Sequence, residues 1–433
     1  MKRWSFLLLL MGSSYAYRAG GEPTAAAPVA PASQPQLYAE RIEAELRKDI
    51  LPYWLEHARD RERGGFYGQL DEGSRVDKDA LRGALLTSRI LWTYSAAYRR
   101  FHDAAYLEMA KWAYDDLLAH FWDQQFGGLY WSVTADGVPS DRRKILYVQA
   151  FGIYGLAEYH LASGDKSALD HAIELYQTME RHSHDHANLG YFEEFSRDWK
   201  KSRDRGRKSA MGSLGQKSQN VHLHLLEAYT NLFRAWPDAG LKKNLVEIVD
   251  VLRTRVMDPS THHLRLFLDE DWTPQGEEIS YGHDIEFSWL LVEAAETIGD
   301  PVLVEVARKD AVQIAAATLK EGVDSDGGIM AEGDASGVKN TFKEWWPQAE
   351  GVVGFLNAFQ ISRDDKYLNA AFKTWDFIDQ RLIDHKNGEW FVGVTREGRP
   401  AAPTKISFWK CPYHNGRACM EALERLHHLQ KDK

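Results

Sequence analysis

Cysteine is nearly absent. The 433-residue chain has two, Cys411 and Cys419, which excludes a disulfide framework and a cysteine-based zinc site. Positive charge is in deficit as well: 53 Lys and Arg stand against 63 Asp and Glu, a net charge of −10, which disfavours nucleic acid or an anionic membrane as partner. No apolar run is long enough to span a bilayer. The strongest, Trp4 to Met11, falls far short of the ~20 residues a span requires. No cysteine follows it, so a bacterial-type lipid anchor has no attachment point. The run fits an export signal instead: Lys2 and Arg3 precede it, and Ser14, Tyr15 and Ala16 offer a small-x-small cleavage site in residues 1–16. Residues 17–36 are rich in Ala, Pro and Gly and read as a linker. Folding is expected to start near Leu37 and to run as one domain to residue 433, in an exported compartment.

What is abundant is aromatic. Fifteen Trp, 19 Tyr and 18 Phe make up 12% of the chain, and so many flat rings suit surfaces that stack on a ligand. The hydrophobic (44%) and charged (27%) fractions are globular. At ~150 residues per domain the length suggests about three domains, although closed barrels run longer as one unit.

A turn recurs along the chain. Asp60 with Gly64-Gly65-Phe66-Tyr67, Asp123 with Gly127-Gly128-Leu129-Tyr130, Asp185 with Leu189-Gly190-Tyr191-Phe192, Asp324 with Gly327-Gly328-Ile329, and Asp384 with Asn387-Gly388-Glu389-Trp390 share one plan. Asp258 with His263-Leu264-Arg265-Leu266-Phe267 is a degraded sixth copy. Successive copies lie 60 to 75 residues apart, and each is an acidic turn, a bend and a short strand. Between copies, apolar residues recur at helical spacing in pairs: 79–101 with 106–120, 144–162 with 166–180, 218–235 with 241–256, 282–298 with 302–319, and 342–361 with 366–382. A last helix is predicted from Pro412 to about Gln430, and 37–57 would close the ring beside it. Twelve helices in six hairpins predict an all-α (α/α)6 barrel with short strands between repeats. Helical solenoids are usually built from shorter units of ~20 to 45 residues.

The first helix of each hairpin is unusually polar and aromatic near its start. Arg89 with Trp92, Tyr147 with Gln149, Asn220 with His222 and His224, His283 with Glu286 and Trp289, Trp345-Trp346 with Gln348 and Glu350, and Trp409 with His414 occupy these positions. They are expected to converge at one mouth of the barrel. Residues three or four apart share a helix face, so Asn220 and His224 point one way and His222 the other, which argues against His222 and His224 as a chelating pair. His283, Glu286 and Trp289 share a face, as do Trp346 and Glu350. Glu286 or Glu350 could pair with Arg89. The run His182, His184, His186 is expected to face solvent, and the basic cluster 200–207 to form a solvated loop.

The stretches SRILW from Ser88, NVHLHLLEAYTNLFR from Asn220, GHDIEFSWLLVEAA from Gly282, KEWWPQAEGVVGF from Lys343 and WKCPYHNGRACMEA from Trp409 resemble the N-acylglucosamine 2-epimerase superfamily, and within it the cellobiose 2-epimerases. The resemblance spans nearly the whole chain after the linker and implies the same barrel. It also implies reversible inversion at C2 of the reducing-end sugar of a β-1,4-linked disaccharide. By motif, His283 and His414 would be the acid/base pair, His224 a stabiliser of the intermediate, Arg89 a ligand of sugar oxygen, and Trp346 and Trp409 stacking groups. One position departs from the family pattern: NVHLH stands where NTHLH is expected.

Those residue types suit the chemistry. Removing the C2 proton beside an aldehyde and returning one to the other face of a planar enediolate takes two bases on opposite sides, and histidine can both accept and donate near neutral pH. A helix N-terminus disfavours imidazolium and would keep His283 and His414 neutral. Arg89, His224 and Asn220 could stabilise charge on O1 and O2, with Tyr147, Glu286, Trp289 and Glu350 as further substrate contacts. Neither metal nor nucleotide is required. A glycoside hydrolase on the same barrel would need two carboxylates flanking the scissile bond, for which Glu286 and Glu350 are the candidates. A non-catalytic oligosaccharide-binding protein would leave the histidine pair unexplained.

Overall fold

The structure, a computed structural model, describes residues 33–201, 216–401 and 404–431. The expected export signal and most of the linker lie outside the described residues, as do residues 202–207 of the basic cluster. The first helix begins at Gln34, three residues before the expected start, because Pro35 fits the first helical turn.

Six helices form an inner ring: Ala84–Phe101, Leu146–Ser163, Gln219–Ala235, Tyr281–Ile298, Trp345–Ser362 and Tyr413–Lys431. Each packs on the next, and the last packs on the first. The outer helices are 34–57, 104–121, Lys166–His182, 239–256, Pro301–Glu321 and 365–382. Helix 34–57 lies beside the final inner helix, as the repeat reading predicts; Arg41 also ties it to Asp376 and Asp379. The ring is an (α/α)6 barrel. Among the described residues no helix is long and apolar enough to cross a membrane.

One mouth is laced by short strands. The strand entering each inner helix pairs with a strand of the next repeat: 82–83 with 132–133, 144–145 with 194–195, 217–218 with 267–268, 279–280 with 332–333, and 343–344 with 393–394. Strand Thr404–Ile406 closes the circle on Gln69–Asp71. Beneath this lacing, a cation next to the strand is buried on the turn aspartate. Arg82 holds Asp60 at 2.6 Å, Lys144 holds Asp123 at 3.1 Å, Lys217 holds Asp185 at 2.8 Å, Lys343 holds Asp324 at 3.1 Å and Lys405 holds Asp384 at 3.0 Å. The degraded copy has only the half-exposed Arg265 on Asp258.

One polar residue in the first turn of an inner helix pins the same turn by its backbone. Gln149 accepts the Leu129 N–H at 2.7 Å and Gln348 the Ile329 N–H at 2.6 Å. His222 accepts from Tyr191 at 3.0 Å and Asp284 from Leu264 at 2.8 Å. Gln149 and Gln348 therefore serve the turns and not the mouth. The bend here needs glycine: Gly190 has φ +71°, and a Cβ would lie 2.7 Å from the His222 ring nitrogen. Of the expected solvent-facing histidine run, His182 and His186 are exposed, whereas His184 is corrected: its side chain is 8% exposed and lies against Glu247 at 2.6 Å.

His222 receives that N–H at Nε2, and its Nδ1 donates to the Ser218 carbonyl at 2.7 Å. This is the neutral tautomer, and burial pushes its pKa down to about 4. Unfolded histidine titrates near ~6.5, so the unfolded chain binds more protons between these values. The stability contributed is therefore present above pH ~6.5 and is lost as pH falls toward 4. His222→Gln, which places an amide where two other repeats already carry one, should fold and should lose stability less steeply between pH 7 and 5 in urea unfolding. An unchanged pH dependence would contradict this assignment.

Candidate active site

The laced mouth opens into a cavity of about 420 Å³ where the inner helices begin. Arg89, Tyr147, Asn220, His224, His283, Glu286, Trp346, Trp409 and His414 all line it. Each comes from the first turns of an inner helix or the segment leading into one.

The three histidines present the same atom. His224 is fixed at Nδ1 by Glu227 at 2.9 Å, His414 by Glu350 at 2.7 Å, and His283 by the Ser280 hydroxyl at 2.8 Å. Each Nε2 is left without a protein partner among the described residues. Burial holds all three imidazoliums below the usual range, with His283 down to about 3; Arg89 adds to the effect at His224 and His414. The expected neutrality of His283 and His414 is thus present, but desolvation and not the helix dipole is its main cause. Trp346 lies 4.6 Å from the His283 ring and 5.7 Å from the His414 ring, and it is anchored by its indole N–H to Glu344 at 3.0 Å. Trp409, 40% exposed, stands at the rim.

Behind the histidines lies a charged layer. Arg417, 1% exposed, donates to Glu286 at 2.6 Å, to Glu350 at 2.7 Å and to Glu227, which Tyr413 also contacts. One guanidinium therefore meets carboxylates from three inner helices, two of which hold His224 and His414. Burial pushes Glu286 up to about 8, and burial with repulsion from Glu286 raises Glu350. Glu286 lines the cavity, and its Oε2 is buried without a partner. Glu286, Glu350 and His414 bring possible metal-ligand atoms within 4.8 Å of one another, but the Arg417 guanidinium already lies on both carboxylates.

Arg89 is also buried, and no carboxylate among the described residues pairs with it. It donates to the Tyr147 hydroxyl at 2.7 Å, lies 4.2 Å from the Phe151 ring centre, and leaves Nε unpartnered. A buried, uncompensated guanidinium beside three histidines is suited to an anionic oxygen.

A family model described as N-acylglucosamine 2-epimerase (GlcNAc 2-epimerase) matches residues 65–418. The chain belongs to this family. Among relatives of the epimerase, a cellobiose 2-epimerase of Bacteroides fragilis is 43% identical over 390 residues, covering 90% of this chain and 99% of that protein. The cellobiose 2-epimerase of Bacillus thermoamylovorans superposes with a TM-score of 0.85 at 38% identity, over 90% of this chain and 99% of that one. A D-mannose isomerase superposes at 0.78 with 21% identity, a likeness of fold, over 89% of this chain and 97% of that one.

Two nominated residues of this epimerase lie behind the wall. Trp289, 1% exposed, turns its indole N–H to Glu350 at 3.0 Å, and its ring lies 4.7 Å from Arg417. Glu350 spends its oxygens on His414, Arg417 and Trp289, so it positions His414 and does not reach substrate. Neither carboxylate pairs with Arg89: Arg417 sits nearer to both. Arg417, Glu227 and Ser280 were missed, although all three follow the spacing rule applied to their neighbours: each lies three residues from the histidine it serves or stands beside.

Replacing Arg417 by Met would leave Glu227, Glu286 and Glu350 around an apolar side chain. The variant should lose about 3–5 kcal/mol at neutral pH. Denaturant unfolding at pH 7.5 measures this, and a variant as stable as the parent would remove Arg417 from this role.

Proposed function

We propose that this epimerase reversibly inverts C2 of the reducing-end sugar of β-1,4-linked disaccharides such as cellobiose or mannobiose, by proton abstraction and return through an enediolate. The observation that carries the reading is the pair of Nε2 atoms of His283 and His414, both presented to one cavity that also holds the unpaired Arg89. The 43% identity to a cellobiose 2-epimerase supports the disaccharide class.

The chemistry follows from the partners. In the open-chain sugar, a histidine takes the C2 proton and electron density moves to O1. Arg89, Asn220 and His224 lie along the cavity to receive that charge. The opposite histidine then protonates the other face, and the aldehyde reforms. Glu350 balances an imidazolium at His414, whereas the Ser280 hydroxyl offers His283 no charge. Once it has taken a proton from solvent, His414 is therefore the better-supported acid and the neutral His283 the base, with roles exchanged in the reverse direction. Trp346 and Trp409 present indole faces to the sugar rings, and Glu286 Oε2 is placed to accept a sugar hydroxyl. The charged residues 2–3, the apolar run 4–11 and the small-x-small site at 14–16 support an exported compartment in the same proposal.

Hydrolysis is disfavoured by the carboxylates themselves. Glu286 and Glu350 share one guanidinium, and only Glu286 lines the cavity, so they do not flank a bond.

Incubation with cellobiose or mannobiose should yield the C2 epimer. Released monosaccharides or unchanged sugar would overturn the proposal. His283→Ala and His414→Ala should each lose at least ~10² in kcat, while Trp346→Ala should raise KM as well as lower kcat, because a misplaced sugar also misplaces C2.

A further inference from the structure

At the opposite end of the barrel, where the inner helices finish, lies a second cavity of about 900 Å³. Its floor is aromatic: Trp92 and Tyr154 stack with ring centres 5.0 Å apart, and Trp289 lies beside them. Its rim is charged but neutralises itself, with Arg99 on Glu158 and Arg234 on Glu293, each at 2.7 Å. Between rim and floor stand the amides of Asn357 and Gln360, whose oxygens accept from Arg425 at 3.3 and 2.7 Å. Three buried donors have no partner: Trp92 Nε1, on a residue 7% exposed, Asn357 Nδ2, on a residue 3% exposed, and Arg425 Nε. All three residues line the cavity, and none takes part in the chemistry at the other mouth.

Unpaired donors in a wall of flat rings and amides select a ligand that brings hydroxyl acceptors and apolar C–H faces. Arg99 and Arg234 are already paired with carboxylates, and Arg425 is spent on two amide oxygens, which leaves little for a phosphate or a carboxylate. The volume suits a ligand of one or two sugar rings. We propose that this cavity is a second, non-catalytic site for a neutral saccharide, held by Trp92, Asn357 and Gln360. The proposal is independent of the epimerase reading, since it concerns binding alone.

Equilibrium binding of methyl β-cellobioside separates the two sites, because this glycoside has no free aldehyde and cannot be epimerised. In a Trp346→Ala, Trp409→Ala protein, whose catalytic cavity has lost its two indole platforms, one binding class per chain should remain. Adding Asn357→Leu and Gln360→Leu should weaken that class more than about tenfold. Loss of all binding with the two tryptophans, or residual binding indifferent to Asn357 and Gln360, overturns the proposal. If Asn357→Leu fails to fold, Gln360→Leu alone, at a half-buried position, should still weaken the residual class, and unchanged affinity is then the contrary result. A protein that binds the glycoside here yet leaves cellobiose unchanged would refute the epimerase reading and leave the second site standing.

Discussion

One buried guanidinium organises the mouth of this barrel. Taking a carboxylate out of water is costly unless it is paired and hydrogen-bonded, and Arg417 meets three of them on three different inner helices. Two of the three pass the constraint outward, Glu227 to His224 and Glu350 to His414. The histidine rings are thereby held from behind, each with Nε2 turned to the cavity. Arg417 lies one helical turn after His414, so the residue that anchors the layer and a proposed acid/base residue move as one piece. His283, backed by Ser280 instead, stands outside this layer, and the difference in its partner separates the two bases chemically.

The scaffold around the site repeats one solution with local changes. Five turns hold a buried cation on the turn aspartate, four receive a polar side chain from the following helix, and the turns at Asp123, Asp185 and Asp324 have both. Gln149, His222, Asp284 and Gln348 are four chemical answers to the same need for an acceptor on a buried turn N–H. Since these contacts hold the ends of the inner helices in register, they set where the histidines stand without touching substrate.

The helices, the ring closure and most cavity residues were legible in the sequence because their signals are local. Apolar spacing marks the hairpins, and polar residues at helix starts mark the mouth. What was not legible depends on direction and on contacts across the ring. Gln149 and Tyr147 are two residues apart, and nothing local says that one serves a turn and the other the cavity. Glu350 looked like a sugar contact until ring closure placed it on His414, 64 residues away in sequence. Trp289 likewise shares a face with His283, but it lies nearly two turns deeper, below the cavity floor. The neutrality of the histidines was expected from helix dipoles, whereas burial, which depends on the whole ring, is its main source.

The central claim is that two histidines on opposite faces of an enediolate exchange the C2 proton with solvent. The most direct test is to convert cellobiose in D2O and follow C2 of the product by NMR. The epimer should carry deuterium at C2 in proportion to turnover. Epimer that retains protium at C2 would mean internal proton return, hydride transfer or oxidation and re-reduction, and would contradict the roles given to His283 and His414.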